Sequence, residues 1–231
     1  MKKEEYENKL PWDKLIVALD LEDKSAIAEV VNALYEQRVK FKIGSIAFTK
    51  YGPDFLKTFI DKGADVFLDL KLYDIPNTMK RTAAVIAEMG CWAFTVHLQA
   101  GKDALTEVKY EVFKTSERLG IRKPLILGVT VLTSQVSDCK SVMNLAKIAN
   151  EVKLDGVISS PQESAAIKEQ YPNLKVITPG IRINSQGLGD QKRVTTARYA
   201  LTEGKADFVV VGRPIIKEKD CFTAALRVLE A

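Results

Sequence analysis

The chain has 231 residues, 46% of them hydrophobic and 28% charged, enough apolar material to bury the core of one large soluble domain. Its 34 basic residues outnumber its 30 acidic ones by four, a small and dispersed excess that suits an anionic small molecule and argues against nucleic acid as a partner. A single histidine excludes multi-histidine metal sites, and three cysteines without C-x-x-C spacing (Cys91, Cys139, Cys221) exclude a disulfide framework.

The opening run MKKEEYENKLPW is charged and has no apolar centre, so it is expected to cross the bottom of the fold or to be loosely ordered rather than to act as a secretory signal. No apolar run approaches the length of a membrane span, and a soluble, cytoplasmic protein is expected. Short β-branched runs then alternate with amphipathic ones. Strands are predicted at Leu15–Leu19, Val39–Ile43, Val66–Leu72, Ala93–Leu98, Leu125–Thr130, Gly156–Ser159, Lys175–Thr178 and Phe208–Val211. Helices are predicted at Ser25–Gln37, Asp54–Lys62, Thr78–Met89, Lys102–Leu119, Ser141–Val152, Gln162–Gln170, Thr195–Glu203 and Asp220–Leu229. The strands are apolar on both faces, as in a parallel sheet covered by helices. Eight strand–helix units describe a closed (β/α)8 TIM barrel, and no G-x-G-x-x-G turn follows the first strand to suggest a dinucleotide fold. No linker or shift in composition divides the chain, so residues 1–231 are expected to form one barrel domain.

Chemistry in such a barrel gathers at the C-terminal ends of the strands. Charged and polar residues stand there on several of them: Asp20, Lys42, Asp69 with Lys71, Thr133 with Ser134, Arg182 and Arg213. The densest run is FLDLKLYDIPNT, residues 67–78. Strand alternation puts Phe67, Asp69 and Lys71 on one face, so an acid and a base project together from a buried element. Desolvating such charges costs several kcal/mol per ion unless they are paired well, which points to function rather than stability. Gly180 and Gly212 let backbone approach an anion, Arg182 and Arg213 add bidentate donors, and the glycine-rich segment 184–192 with Gln191 has the composition of a lid over phosphate. Some members have structural alternatives: Asp20 as a helix cap, Lys42 as a rim lysine, Thr133 and Ser134 as a turn. His97 fits a hydrogen-bonded supporting residue better than a catalyst, and Trp12 and Trp92 read as packing residues.

Taken in order, VALD at Asp20, FKIG at Lys42, DLKLYDIPNT from Asp69, TVH at His97, TVLTS at Thr133, PGIR at Arg182, DQKRV at Gln191 and VVVGRPI at Arg213 resemble the orotidine 5′-phosphate decarboxylase family of the bacterial single-domain type. Tyr73, where many members have His, and VTTAR after Gln191, where Thr-Pro is common, are departures that touch no charged group. The resemblance implies cofactor-independent, metal-free decarboxylation of orotidine 5′-monophosphate to UMP. It implies that Lys71 protonates C6, that Asp69 adjoins the scissile carboxylate, and that Lys42 and Asp20 complete a charge array reaching the ribose. The run Asp69, Leu70, Lys71, Leu72, Tyr73, Asp74, Ile75, Pro76, Asn77 and Thr78 would belong to the substrate site, with Asp74 and Ile75 entering it from the other subunit of a homodimer. Thr133 would line that site, while Arg182, Gln191, Gly212 and Arg213 would hold the phosphate. The nearest alternative is a Mg²⁺-dependent sugar-phosphate decarboxylase or hexulose-phosphate synthase, which shares the D-x-K-x-x-D core without Ile-Pro-Asn-Thr. A non-catalytic phosphate-ligand sensor is a further one.

Overall fold

The computed structural model describes residues 10–132, 138–183 and 195–231. Among them eight parallel strands pair in sequence order: β1 (Leu15–Ala18), β2 (Lys40–Gly44), β3 (Val66–Leu72), β4 (Ala93–His97), β5 (Leu125–Val129), β6 (Gly156–Ile158), β7 (Lys175–Thr178) and β8 (Phe208–Val211). β8 pairs with β1, closing the expected barrel. Parallel neighbours need long crossovers, and helices supply them. These are α1 (Lys24–Leu34), α2 (Ser45–Ile60), α3 (Pro76–Glu88), α4 (Gly101–Leu119), α5 (Cys139–Val152), α6 (Pro161–Gln170) and α7 (Ala197–Leu201); α8 (Arg213–Ile216) and α9 (Cys221–Glu230) follow the last strand. No described helix is long and apolar enough to cross a membrane.

Local chemistry sets the helix ends. Asp23, Asp138 and Asp220 accept hydrogen bonds from the N–H groups of Ala26 (2.8 Å), Ser141 (2.7 Å) and Thr223 (3.0 Å), satisfying donors that the first turn leaves open. α1 and α5 therefore start one and two residues earlier than the apolar periodicity suggests. Proline is the first residue of α3 and α6 and the second of α8, where its missing N–H is no loss. Gly120, at φ 61°, stops α4 in the left-handed conformation. α2 departs most from expectation. It begins at Ser45 rather than Asp54, and Gly52 (φ 69°, ψ −172°) with Pro53 breaks it into two helical pieces.

Strand alternation divides the core into two layers. Leu15, Val17, Phe41, Ile43, Val66 and Leu68 face outward and pack under the helices. Ile16, Phe67, Trp92, Leu127, Ile177 and Val210 fill the barrel interior. Lys40 plugs its closed end, donating to the carbonyl oxygens of Asp13 (2.6 Å) and Arg38 (3.2 Å), with its ammonium 5.9 Å and 5.7 Å from the ring centres of Trp92 and Phe208. Trp12 is buried and stacks on Phe222 at 5.5 Å, so both tryptophans are packing residues. Residues 12–14 thus cross the bottom as expected; residues 1–9 lie outside the described residues. The packed lower half leaves room for a ligand at the upper rim.

Candidate active site

Register brings the charged residues together. Ala18 pairs with Lys42 and Gly44 with Asp69, so the ends of β1, β2 and β3 stand side by side. Lys42 Nζ lies 3.1 Å from Asp20 Oδ1 and 3.4 Å from Asp69 Oδ2, while Lys71 Nζ lies 3.0 Å from each Asp69 oxygen. The result is an alternating row: Asp20, Lys42, Asp69, Lys71. Asp23 rather than Asp20 caps α1, and Lys42 is buried in ion pairs rather than reaching out along the rim. A Cβ at position 44 would lie 3.1 Å from Asp20 Oδ1 and 3.4 Å from Lys42 Nζ, so the glycine there leaves space for the pair.

Asp69 and Lys71 share the inward face with Phe67, but not through a regular strand. β3 pairs with β4 at Leu68↔Phe94 and next at Leu72↔Val96, so β3 carries two extra residues where the charges sit. Lys71 adopts φ 52°, a conformation costing a non-glycine residue on the order of 1–2 kcal/mol. Its N–H leaves the ladder and donates to Thr95 Oγ1 at 2.8 Å; that hydroxyl donates to Asp69 Oδ1 at 2.9 Å. Burial would raise the Asp69 pKa, but the Lys42 and Lys71 ammoniums and the Lys71 and Thr95 hydrogen bonds hold it below the usual aspartate value. Burial would lower the Lys42 pKa, yet Asp69 and Asp20 outweigh that and raise it. His97, half-buried at the end of β4, accepts a 3.4 Å hydrogen bond from the Gln99 N–H at Nδ1 and stands beside the Tyr73 ring. Burial, then the Lys71 charge, lowers its pKa, so it is a neutral neighbour of the row.

A cavity of about 640 Å³ opens above the row. Val129, Val131, Leu132, Ile158 and Val210 form an apolar wall, and Arg182, Arg213 and Lys217 also line the cavity. Among the described residues five cationic side chains line the cavity against two carboxylates, a balance fitted to a polyanion. Gly180 takes φ 87°, which favours glycine; at Gly212 an added Cβ would meet nothing closer than Ala18 Cβ at 3.5 Å, so protein packing does not demand glycine there. The Arg182 N–H donates to Thr195 O at 2.9 Å. Gln191 and Thr133 lie outside the described residues.

The rest of the FLDLKLYDIPNT run does not reach the cavity wall of its own chain. Leu70 and Leu72 turn outward against the core under the helices. Tyr73, Asp74, Ile75, Pro76, Asn77 and Thr78 are exposed, and Asp74 Oδ1 accepts from the Ile75 N–H at 2.7 Å. Within one described chain Asp69 is the carboxylate paired with Lys71. Sequence reasoning missed Thr95, Gly44 and Lys217. Thr95 left a signal, a hydroxyl at an inward position of the apolar run AFTVH. Lys217 left none, because the short α8 that carries it to the rim has no periodicity to read.

The family model described as orotidine 5′-phosphate decarboxylase / HUMPS family matches residues 13–228. The chain is 38% identical over 233 residues to an orotidine 5′-phosphate decarboxylase of Coxiella burnetii, covering 96% of this chain and 95% of that one. It is 38% identical over 214 residues to that of Pseudoalteromonas translucida, covering 87% and 89%. The crystal structure of the orotidine 5′-phosphate decarboxylase from Lactobacillus acidophilus superposes with a TM-score of 0.80 at 29% identity, covering 94% of this chain and 97% of that one.

Proposed function

Because the chain belongs to the orotidine 5′-phosphate decarboxylase / HUMPS family, we propose the following division of labour for the decarboxylation of orotidine 5′-monophosphate to UMP and carbon dioxide, a step of pyrimidine biosynthesis. The C6–carboxylate bond breaks heterolytically and its electron pair stays on C6. No adjacent π-system delocalises that pair, so the charge must be met electrostatically. Lys71 meets it as a fixed ammonium and transfers a proton to C6, leaving a neutral amine that solvent reprotonates. The supporting observation is the Lys71 amine held 3.0 Å from both Asp69 oxygens on the cavity wall. A preorganised charge needs no reorganisation as the carbanion forms, and two unit charges 4 Å apart interact by roughly 4 kcal/mol at an effective dielectric of 20, against about 1 kcal/mol in water. Asp69 adjoins the departing carboxylate, Asp20 and Lys42 bind the ribose side, and Arg182, Gln191, Gly212 and Arg213 hold the phosphate. Thr133 belongs to the lining of the site in this reading.

The Mg²⁺-dependent alternative fits this row poorly. Asp69 Oδ1 already receives Lys71 and Thr95, and Oδ2 faces Lys71 and Lys42, so neither oxygen offers a cation an unopposed lone pair. Turnover of orotidine 5′-monophosphate, followed as released carbon dioxide, is expected to be unchanged by EDTA. Loss of activity restored by Mg²⁺ would instead favour the sugar-phosphate chemistry.

The working unit in this reading is a homodimer in which Asp74 and Ile75 enter the partner's site. Tyr73 and Ile75 are 62% and 65% exposed, and Val85 on α3 with Tyr110 and Phe113 on α4 extends the exposed apolar surface over the next two helices. Such surface is costly to leave in water. A cytoplasmic location and one barrel domain spanning residues 1–231 belong to the same reading.

A further inference from the structure

We propose that Thr95 is a positioning residue for the reaction: its hydroxyl holds Lys71 in the left-handed conformation and thereby sets where the ammonium points. The inference rests on the decarboxylase reading above for its consequence in rate, but its geometry stands alone. Thr95 is fully buried, and its one hydroxyl makes two directional bonds, accepting from the Lys71 N–H and donating to Asp69 Oδ1. A regular β3 would send the Lys71 N–H toward β2, which ends at Gly44 opposite Asp69; the two extra residues of β3 turn it toward β4 instead, where the Thr95 hydroxyl satisfies it. A non-glycine residue persists at φ 52° only when its surroundings compel it. Here a single side chain compels it and orients the adjacent carboxylate at the same time. The ammonium and its counter-ion are therefore set by one group on a different strand, which is buried and does not line the cavity.

Val is nearly isosteric with Thr but lacks both bonds, whereas Ser keeps the hydroxyl. Thr95→Val is expected to lower kcat by about tenfold to a hundredfold, the range for one buried hydrogen bond felt in the transition state. Its KM is expected to change much less, because the phosphate and ribose contacts remain. Thr95→Ser should restore kcat to within about threefold of wild type, following the hydroxyl rather than the methyl. A Thr95→Val protein that folds and keeps wild-type kcat overturns the proposal. A crystal structure of Thr95→Val gives an answer that does not depend on turnover: Lys71 should leave positive φ and its amine should part from one Asp69 oxygen. An unchanged Lys71 backbone overturns the proposal even if kcat falls. Failure of the wild-type protein to decarboxylate would count against the assigned reaction, and the crystal structure would still decide the role of Thr95.

Discussion

Asp69 is the residue on which the charge row turns, because among the described residues it is the one carboxylate paired with both Lys42 and Lys71. Replacing it with Ala leaves two ammoniums facing each other, one of them buried, and is expected to destabilise the fold by about 3–5 kcal/mol in urea unfolding as well as to abolish turnover. The same pairing fixes the pH dependence. The depressed Asp69 pKa contributes stability that is present above the ordinary aspartate value of 3.8 and drains away as pH falls through the lower folded value. The raised Lys42 pKa contributes stability that is present below the ordinary lysine value of 10.5 and is lost as pH rises through the higher folded value. The row is thus intact throughout the neutral range, and unfolding free energy followed against pH should show neither group titrating between about pH 5 and 10. Lys217 reaches the cavity from the rim, and Lys217→Ala should raise the KM for the nucleotide about three- to tenfold, an effect that shrinks in high salt. Asp20, Lys42, Asp69 and Lys71 were legible in the sequence because charges interrupt otherwise apolar strands. The bridging role of Thr95 was not, since it depends on a bulge that no spacing rule reveals.

At the scale of elements, the strands were the most legible part. β3, β7 and β8 have the bounds that the apolar runs suggest; β1, β4, β5 and β6 end one residue earlier, and β2 is shifted by one residue at both ends. Helix starts were less so, because an aspartate cap draws the helix back beyond its first apolar residue, as Asp138 does for α5. The early half of α2 lies outside the predicted helix Asp54–Lys62, because Gly52 and Pro53 break the helical stretch just before it. Gly52→Ala must force a Cβ into a positive-φ position and is expected to destabilise the protein by about 1–2 kcal/mol even though no atom stands near the new methyl. Thermal unfolding measures this directly. α8 was missed for a simpler reason: four residues are too few for amphipathic periodicity.

For the whole molecule, the closed barrel follows from eight strand–helix units, and the aromatic and Lys40 plug at its lower end leaves one end open for chemistry. The surface that the proposed homodimer would bury is not written in periodicity, because exposed apolar residues such as Tyr73 and Ile75 belong to no buried stripe of their own chain. If the sites are shared, mixing Lys71→Ala with Asp74→Ala subunits should regenerate one intact site per mixed dimer, about a quarter of wild-type activity after random exchange. The charge on C6 and the amine that meets it remain the centre of the account. Its most direct test is kcat of Lys71→Ala at saturating orotidine 5′-monophosphate, with UMP binding measured alongside to establish an intact site. A fall of at least about 10⁴-fold with UMP still bound is expected. Turnover within tenfold of wild type would contradict the assignment of Lys71 as the group that takes up the carbanion's charge.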